Sequence, residues 1–326
     1  MDFKRAKALT PDVIDSICEL WLQEGYQENR LQRSSMQTYI NTLNLFRVYL
    51  QQIRCTKPRK KHVIEFLQSF RFRRRSALYV NSLRSALKGF FSYAEKLSYY
   101  PDITKSIRRF RVPKGHRKKA LYPDQVETLL KGMETQTEYQ KRNFVMLVLI
   151  CSTGIRAAAC CSLRVRDFVQ RESGYAVIVK LKGYAAPDHE IPLDQSVSDL
   201  ILEYLQLRGK YKLDDALFTN RWNRHLCPSS LSKIFHRAFV ESGVRETKVS
   251  LHSLRHTFAT VASHNGVGLD CISDVLGHSS YAITEDIYTH KTDLDRKTVV
   301  QRVSEILNLK VITKNAIQKI TFLTQK

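Results

Sequence analysis

The chain has 326 residues, enough for two domains of ordinary size, and 43% of them are hydrophobic, which is enough to bury a core and excludes a disordered chain. Its 53 lysines and arginines against 31 aspartates and glutamates give a net charge of +22, which sets aside an ordinary neutral metabolic enzyme and points to a polyanion as partner. Residues 1–119 carry 26 of the cations and 9 of the acids, whereas residues 120–326 carry 27 and 22, so one part is built to grip phosphates and the other for something more selective.

No apolar run reaches the roughly 18 residues of a membrane span. The opening MDFKRAKALTPD has no apolar core, so no signal peptide is expected. Seven cysteines, an odd number with no C-x-x-C pair, fit a reduced cytoplasmic protein with buried thiols.

In chain order, helical spacing first appears over residues 11–24 with Val13, Ile14, Ile17, Leu20 and Trp21 on one face. Ser34 or Ser35 opens a long second helix through Ile53, a shorter one spans 62–70, and a fourth spans 76–97 with Val80, Leu83, Leu87, Phe90, Phe91 and Ala94. Two cation clusters decorate this helical part: Lys57, Arg59, Lys60 and Lys61 before the third helix, and Arg71, Arg73, Arg74 and Arg75 before the fourth. Cations at helix starts oppose the helix dipole, so folding does not explain them; nucleic-acid backbone phosphates do, against the plainer reading of a solvated charge run. Residues 105–119 hold eight cations, among them Arg108, Arg109, Arg111, Lys114, Arg117, Lys118 and Lys119, and no acid. Pro113 and Gly115 break any helix there, so the stretch reads as a linker that tracks phosphates.

The second part is mixed. Helices are expected at 124–133 and 142–151, strands at 175–182 and 190–193 with GYAAPDH as the hairpin loop, then helices at 197–207, 229–240, 252–264, 269–276 and 293–307. Four pieces stand out: Thr153-Gly154-Ile155-Arg156, the hairpin near Lys182, LHSLRHTFAT from 251, and LGHSSYAITEDIYTH from 276. Each alone has a bland reading, as a salt bridge, a capped surface pair, a helix end or a core tyrosine. Together they supply paired guanidiniums to clamp a phosphodiester and its pentacoordinate transition state. They also supply a tyrosine hydroxyl to attack phosphorus and a lysine to protonate the leaving 5′ oxygen.

These pieces resemble the tyrosine site-specific recombinases, the phage integrase family, in their compact Xer-type and Cre-like form. The family's ordered pattern falls on Arg156, Lys182, His252, Arg255, His278 and Tyr288. The resemblance implies a mainly α fold with a small β-hairpin or sheet: a helical SAM-like core-binding domain (1–110), a basic linker (111–120), an α+β catalytic domain (121–308) and a tail (309–326) that docks on a neighbouring protomer or packs on its own domain. It makes Tyr288 the nucleophile, Arg156 and Arg255 the phosphate clamp, and Lys182 the general acid with Lys180 as competitor. His252 and His278 become assisting groups, and His256 an orienting one. No metal or cofactor is implied. The partners implied are double-stranded DNA with two inverted half-sites and further copies of the chain, a dimer per site and a tetramer in the synapse.

Three departures from the pattern stand out. Ala159 replaces the usual glutamate after the first arginine, His278 and Tyr288 lie one residue further apart than in Xer-type enzymes, and the hairpin loop is longer than usual. Rival readings are a type IB topoisomerase, which shares the tyrosine and arginine pair, and a DNA-binding module without chemistry. A zinc enzyme is a weaker rival, because Ser253 stands where a zincin needs glutamate between His252 and His256.

Overall fold

The computed structural model describes residues 7–28, 31, 33–112, 120–180, 188–244, 249–277 and 293–324. The chain divides into two compact units, Met1–His116 and Arg117–Lys326.

The first unit holds α1 (Pro11–Gln27), α2 (Arg33–Gln52), α3 (Lys60–Phe72) and α4 (Ala77–Lys96). α4 packs against the other three through one broad face that buries Val80, Leu83, Ala86, Leu87, Phe90, Phe91 and Ala94. The Ser76 hydroxyl caps it by accepting from the Tyr79 N–H at 3.2 Å. Trp21 of α1 lies over Gly89, where any Cβ would strike the indole, and stacks on Tyr39 with ring centroids 5.0 Å apart. α3 begins at Lys60, ahead of the expected His62, because the His62 Nδ1 accepts from the Arg59 N–H at 3.0 Å and so closes the first turn. The basic stretch after α4 does not leave the unit at once. The Asn81 side chain exchanges two 2.9 Å hydrogen bonds with the Phe110 backbone, and the Arg84 Nε donates to the Ile107 carbonyl at 2.8 Å.

The second unit is built around α6 (Glu138–Thr153), buried on every side from Lys141 onward and therefore central. Around it stand α5 (Pro123–Lys131), the one-and-a-half-turn α7 (Ala157–Ser162), α8 (Gln195–Arg208), α9 (Pro228–Glu241), α10 (Leu251–His264), α11 (Leu269–Leu276), α12 (Asp293–Ile306) and α13 (Leu309–Thr324). A small antiparallel sheet runs β1 (Phe168–Arg171), β2 (Gly174–Val179), β3 (His189–Pro192), in that order. Phe168 faces Val177 and Val177 faces Ile191, which sends Val177 and Ile191 into the core. β1 was not expected from the sequence, and the strand expected to reach residue 182 ends at Val179. α13 packs against α8 and α5, with Leu309, Ile312 and Ala316 in the core of the same unit. All seven cysteines are free thiols.

Candidate phosphate site and exposed cations

The site begins where three helix ends meet. α6 stops at Gly154, whose φ of 64° is left-handed, and a Cβ there would strike the side chains of Leu276 and Phe258. Glycine thus lets the end of α6 touch α10 and α11. Two residues on, Arg156 is half-buried as the residue that opens α7. Across from it, Arg255 on α10 is 4% exposed. Its Nη1 donates to the Gly154 carbonyl at 2.8 Å and its Nη2 to the Leu276 carbonyl at 2.9 Å. Both acceptors lie at helix C-terminal ends, where the partial negative charge of the dipole gathers.

No carboxylate among the described residues pairs with Arg156 or Arg255. With Ala159 packed against the core where the family usually has a glutamate, the partners of Arg255 among the described residues are carbonyls. Burial first, and repulsion from Arg156 second, push the Arg255 pKa down to about 9. Burial also lowers that of Arg156. Two nearby guanidiniums whose charged forms are disfavoured, with no acid paired to them among the described residues, form a sink for an anion.

His252 stands exposed one turn before Arg255 on α10, and half-buried His256 one turn after His252. α10 is fixed at its start by the Ser253 hydroxyl, which accepts from the Ser250 N–H at 3.2 Å, and by Thr257, whose Oγ1 accepts from the Leu121 N–H at 2.8 Å. Lys180 is exposed just past β2. Lys182, His278 and Tyr288 lie outside the described residues, so the structure brings together only Arg156 and Arg255 of the expected catalytic set, with His252 on the same helix.

The sequence pattern gave no sign of a layer behind the site. Arg296 on α12 donates from Nε and Nη2 to the two carboxylate oxygens of Asp274 on α11, at 2.7 and 3.3 Å, and from Nη1 to the Glu190 carbonyl on β3 at 2.8 Å. Beside it the buried His189 places Nε2 3.1 Å from the Val275 carbonyl, which requires that nitrogen to carry the proton. Burial lowers the His189 pKa, which favours that neutral form. One arginine therefore ties together the base of the hairpin, the end of α11 and the start of α12. Asp274 lies just outside the motif that starts at Leu276, and a backbone acceptor on β3 leaves no sequence signal.

In the first unit Arg59 precedes α3, Lys60 and Lys61 occupy its first turn, and Arg71 its last. Arg73, Arg74 and Arg75 follow, Arg74 with a left-handed φ of 56°. All are exposed, as are Arg108, Arg109 and Arg111. Arg73 and Arg75 lie over the Phe70 and Tyr79 rings, each at 5.9 Å. None of Arg71, Arg73, Arg74, Arg75, Arg108, Arg109 and Arg111 forms an ion pair among the described residues. Lys114, Arg117, Lys118 and Lys119 lie outside those residues.

The profile "Phage integrase family" matches residues 119–295, and "Phage integrase, N-terminal SAM-like domain" matches residues 19–96. A tyrosine recombinase XerD of Listeria innocua is 28% identical over 290 residues, covering 84% of this chain and 94% of the relative. A tyrosine recombinase XerA of Pyrococcus furiosus is 27% identical over 310 residues, covering 94% and 98%. The XerH site-specific recombinase bound to palindromic difH in a post-cleavage complex superposes with a TM-score of 0.64 at 26% identity, over 83% of this chain and 78% of that one. A lambda integrase tetramer bound to a Holliday junction gives a TM-score of 0.65 over 86% and 77%, at 15% identity a likeness of fold.

Proposed function

Because this chain belongs to the phage integrase family, we propose that it cuts and rejoins duplex DNA through a covalent link between Tyr288 and a 3′ phosphate. It is a tyrosine recombinase, a DNA strand-transferring enzyme that performs site-specific recombination; the topoisomerase and the purely binding readings are not favoured. The observation that carries the mechanism is the Arg156–Arg255 pair, two cations with no carboxylate partner among the described residues, one of them locked onto helix-end carbonyls.

In this reading the scissile phosphate enters between the two guanidiniums, which hold its non-bridging oxygens and meet the charge that builds up in the pentacoordinate state. Tyr288 passes its phenolic proton to His252 as base, and its oxygen bonds to phosphorus. The bond to the 5′ oxygen breaks, and Lys182 gives that oxygen a proton. One phosphate ester replaces another, so the bond energy is kept and the reverse attack by a 5′ hydroxyl rejoins a strand. His278 assists with a hydrogen bond to a phosphate oxygen. The positive charge comes from the protein's own side chains, with no metal or cofactor proposed. Recombination takes DNA and further copies of the chain; we place a dimer on two inverted half-sites and a tetramer in the synapse. Among the described residues no helix is long and apolar enough to cross a membrane, and we assign the protein to the cytoplasm, on the nucleoid.

Tyr288→Phe tests the reading most directly. The variant is expected to bind DNA and to form no covalent complex with a nicked half-site substrate on a denaturing gel, while Tyr281→Phe still forms it. A trapped complex in Tyr288→Phe overturns the assignment.

A further inference from the structure

The segment from Thr219 to His225, which the mechanism above leaves without a task, closes as a tight turn with a bridge between those two residues. Asn220 builds it. Its Oδ1 accepts from the N–H groups of Trp222 at 2.9 Å and Arg224 at 3.2 Å, and its own N–H donates to the Arg224 carbonyl at 2.8 Å. Asn223 takes a left-handed φ of 58°, which asparagine tolerates. The tip is therefore ordered before any partner arrives, which lowers the entropy cost of binding one.

At that tip Trp222 is 64% exposed, and the Arg221 guanidinium lies 4.1 Å from its ring centroid. A guanidinium stacked on an indole keeps its N–H edge in its own plane, where phosphate oxygens reach it. Arg224 is exposed on the same turn, and neither arginine pairs with a carboxylate among the described residues. The sequence from Ala216 to Val240 contains no aspartate or glutamate, within a part of the chain whose charges otherwise nearly balance. The turn is also fastened to the phosphate site: the His225 Nδ1 lies 3.0 Å from the Cys161 carbonyl on α7, the helix that Arg156 opens.

We infer that the 219–225 turn is a separate DNA contact, in which Arg221 and Arg224 take backbone phosphates beside the scissile position and the Trp222 indole packs on a deoxyribose. The inference rests on the proposed function for DNA as ligand and for Arg156 as the marker of the scissile phosphate.

The protein has two tryptophans, and Trp21 is 8% exposed inside the first unit, so emission accessible to a quencher reads Trp222. The full chain is titrated with a labelled random-sequence duplex; anisotropy of the label reports binding and acrylamide quenching reports Trp222. Duplex is expected to shield the emission in the wild type, and the shielding to vanish in Trp222→Phe. Arg221→Gln combined with Arg224→Gln is expected to flatten the log–log salt slope by about 1.8, at roughly 0.9 per phosphate. Binding by anisotropy with Trp222 still open to acrylamide overturns the inference and leaves the DNA reading standing. No binding at low salt overturns the DNA reading itself. Shielding that follows protein concentration without DNA makes the turn an interface between copies, and also overturns the inference.

Discussion

In the first unit Arg71, Arg73, Arg74 and Arg75 stand in water around the end of α3; in the second, Arg255 is 4% exposed and spends two donors on carbonyls. The exposed cations act as point charges: each is worth little, all are screened by salt, and their sum gives affinity without geometry. The buried arginine is held in one position by two helix ends and is destabilised, first by burial and then by its neighbour Arg156, until an anion arrives. Charge placed in water recruits the polyanion. Charge held out of water, with its direction fixed, is the kind that stabilises a particular phosphate geometry.

The sharpest way to break this contrast is Arg255→Ala. Removing one preorganised donor from a site of developing charge costs about 100- to 1,000-fold in rate, so covalent-complex formation is expected to fall by that order while duplex affinity changes far less. A loss of affinity that matches the loss of cleavage would place Arg255 with the exposed cations. The pH response has a definite sign. The folded value of Arg255, about 9, lies below the ordinary guanidinium value, so its charged form costs stability below about 9 and the cost is relieved as pH rises beyond it. A bound phosphate offsets that cost only while Arg255 is protonated. The rise in melting temperature given by an uncleavable duplex is therefore expected to shrink above about pH 9, and Arg255→Gln is expected to remove that alkaline limb. An unchanged limb in the variant would assign it elsewhere.

Next in size is the loss of α13. Leu309 is fully buried and Ile312 is 3% exposed, both in the core of the second unit. At about 1.5–3 kcal/mol for each buried aliphatic side chain, a chain ending at Asn308 is expected to lose about 3 kcal/mol or more, seen as a lower urea midpoint. In our reading a contact with a neighbouring protomer then comes from the chain beyond Ala316 or from release of the helix. Unchanged stability would free the whole of α13 for that contact. Smaller still is the Arg296–Asp274 pair, each side chain about one-fifth exposed. A double-mutant cycle with Arg296→Met and Asp274→Asn is expected to give about 1–2 kcal/mol of coupling in stability. A covalent-complex assay is expected to show slower cleavage in both single variants with duplex affinity kept. Slower cleavage is not expected if the pair only stiffens the fold.

Much of this was legible in the sequence where a side chain carries its own signal. The stripe Val80, Leu83, Leu87, Phe90 gave α4, Ser76 marked its start, and HSLRH placed Arg255 on a helix beside His252. What was not legible depends on partners outside the local pattern. β1 is four residues long, and its last two, Gln170 and Arg171, are exposed, so it shows no alternation to read. α13 mixes lysines with its apolar residues, and it was the packing on α8 and α5 that decided which face is buried. Arg255 is held by the carbonyls of Gly154 and Leu276, and a backbone acceptor has no letter in the sequence. Arg296 joins three elements far apart in the chain, a relation that spacing does not encode.

The smallest effect per residue belongs to the exposed cluster, and it completes the contrast from the other side. Arg73 and Arg75 rest over Phe70 and Tyr79, so their aromatic neighbours orient them loosely while their charge stays in water. Changing Arg71, Arg73, Arg74 and Arg75 to Gln keeps the polar character of the segment and removes four charges. Each exposed charge contributes at most about 1 kcal/mol, so folding stability is expected to stay the same within that margin. Binding is expected to weaken equally on specific and random duplexes. The log–log salt slope is expected to flatten by roughly 0.9 for each phosphate that is no longer neutralised, up to about 3.6 for all four. The rate of cleavage at saturating DNA is expected to hold, because none of the four reaches the reacting phosphate in the proposed mechanism. An unchanged salt slope would make the cluster a solvated helix end with no role in DNA binding. A fall in saturated cleavage rate would mean that these exposed cations, like Arg255, fix the geometry of the phosphate.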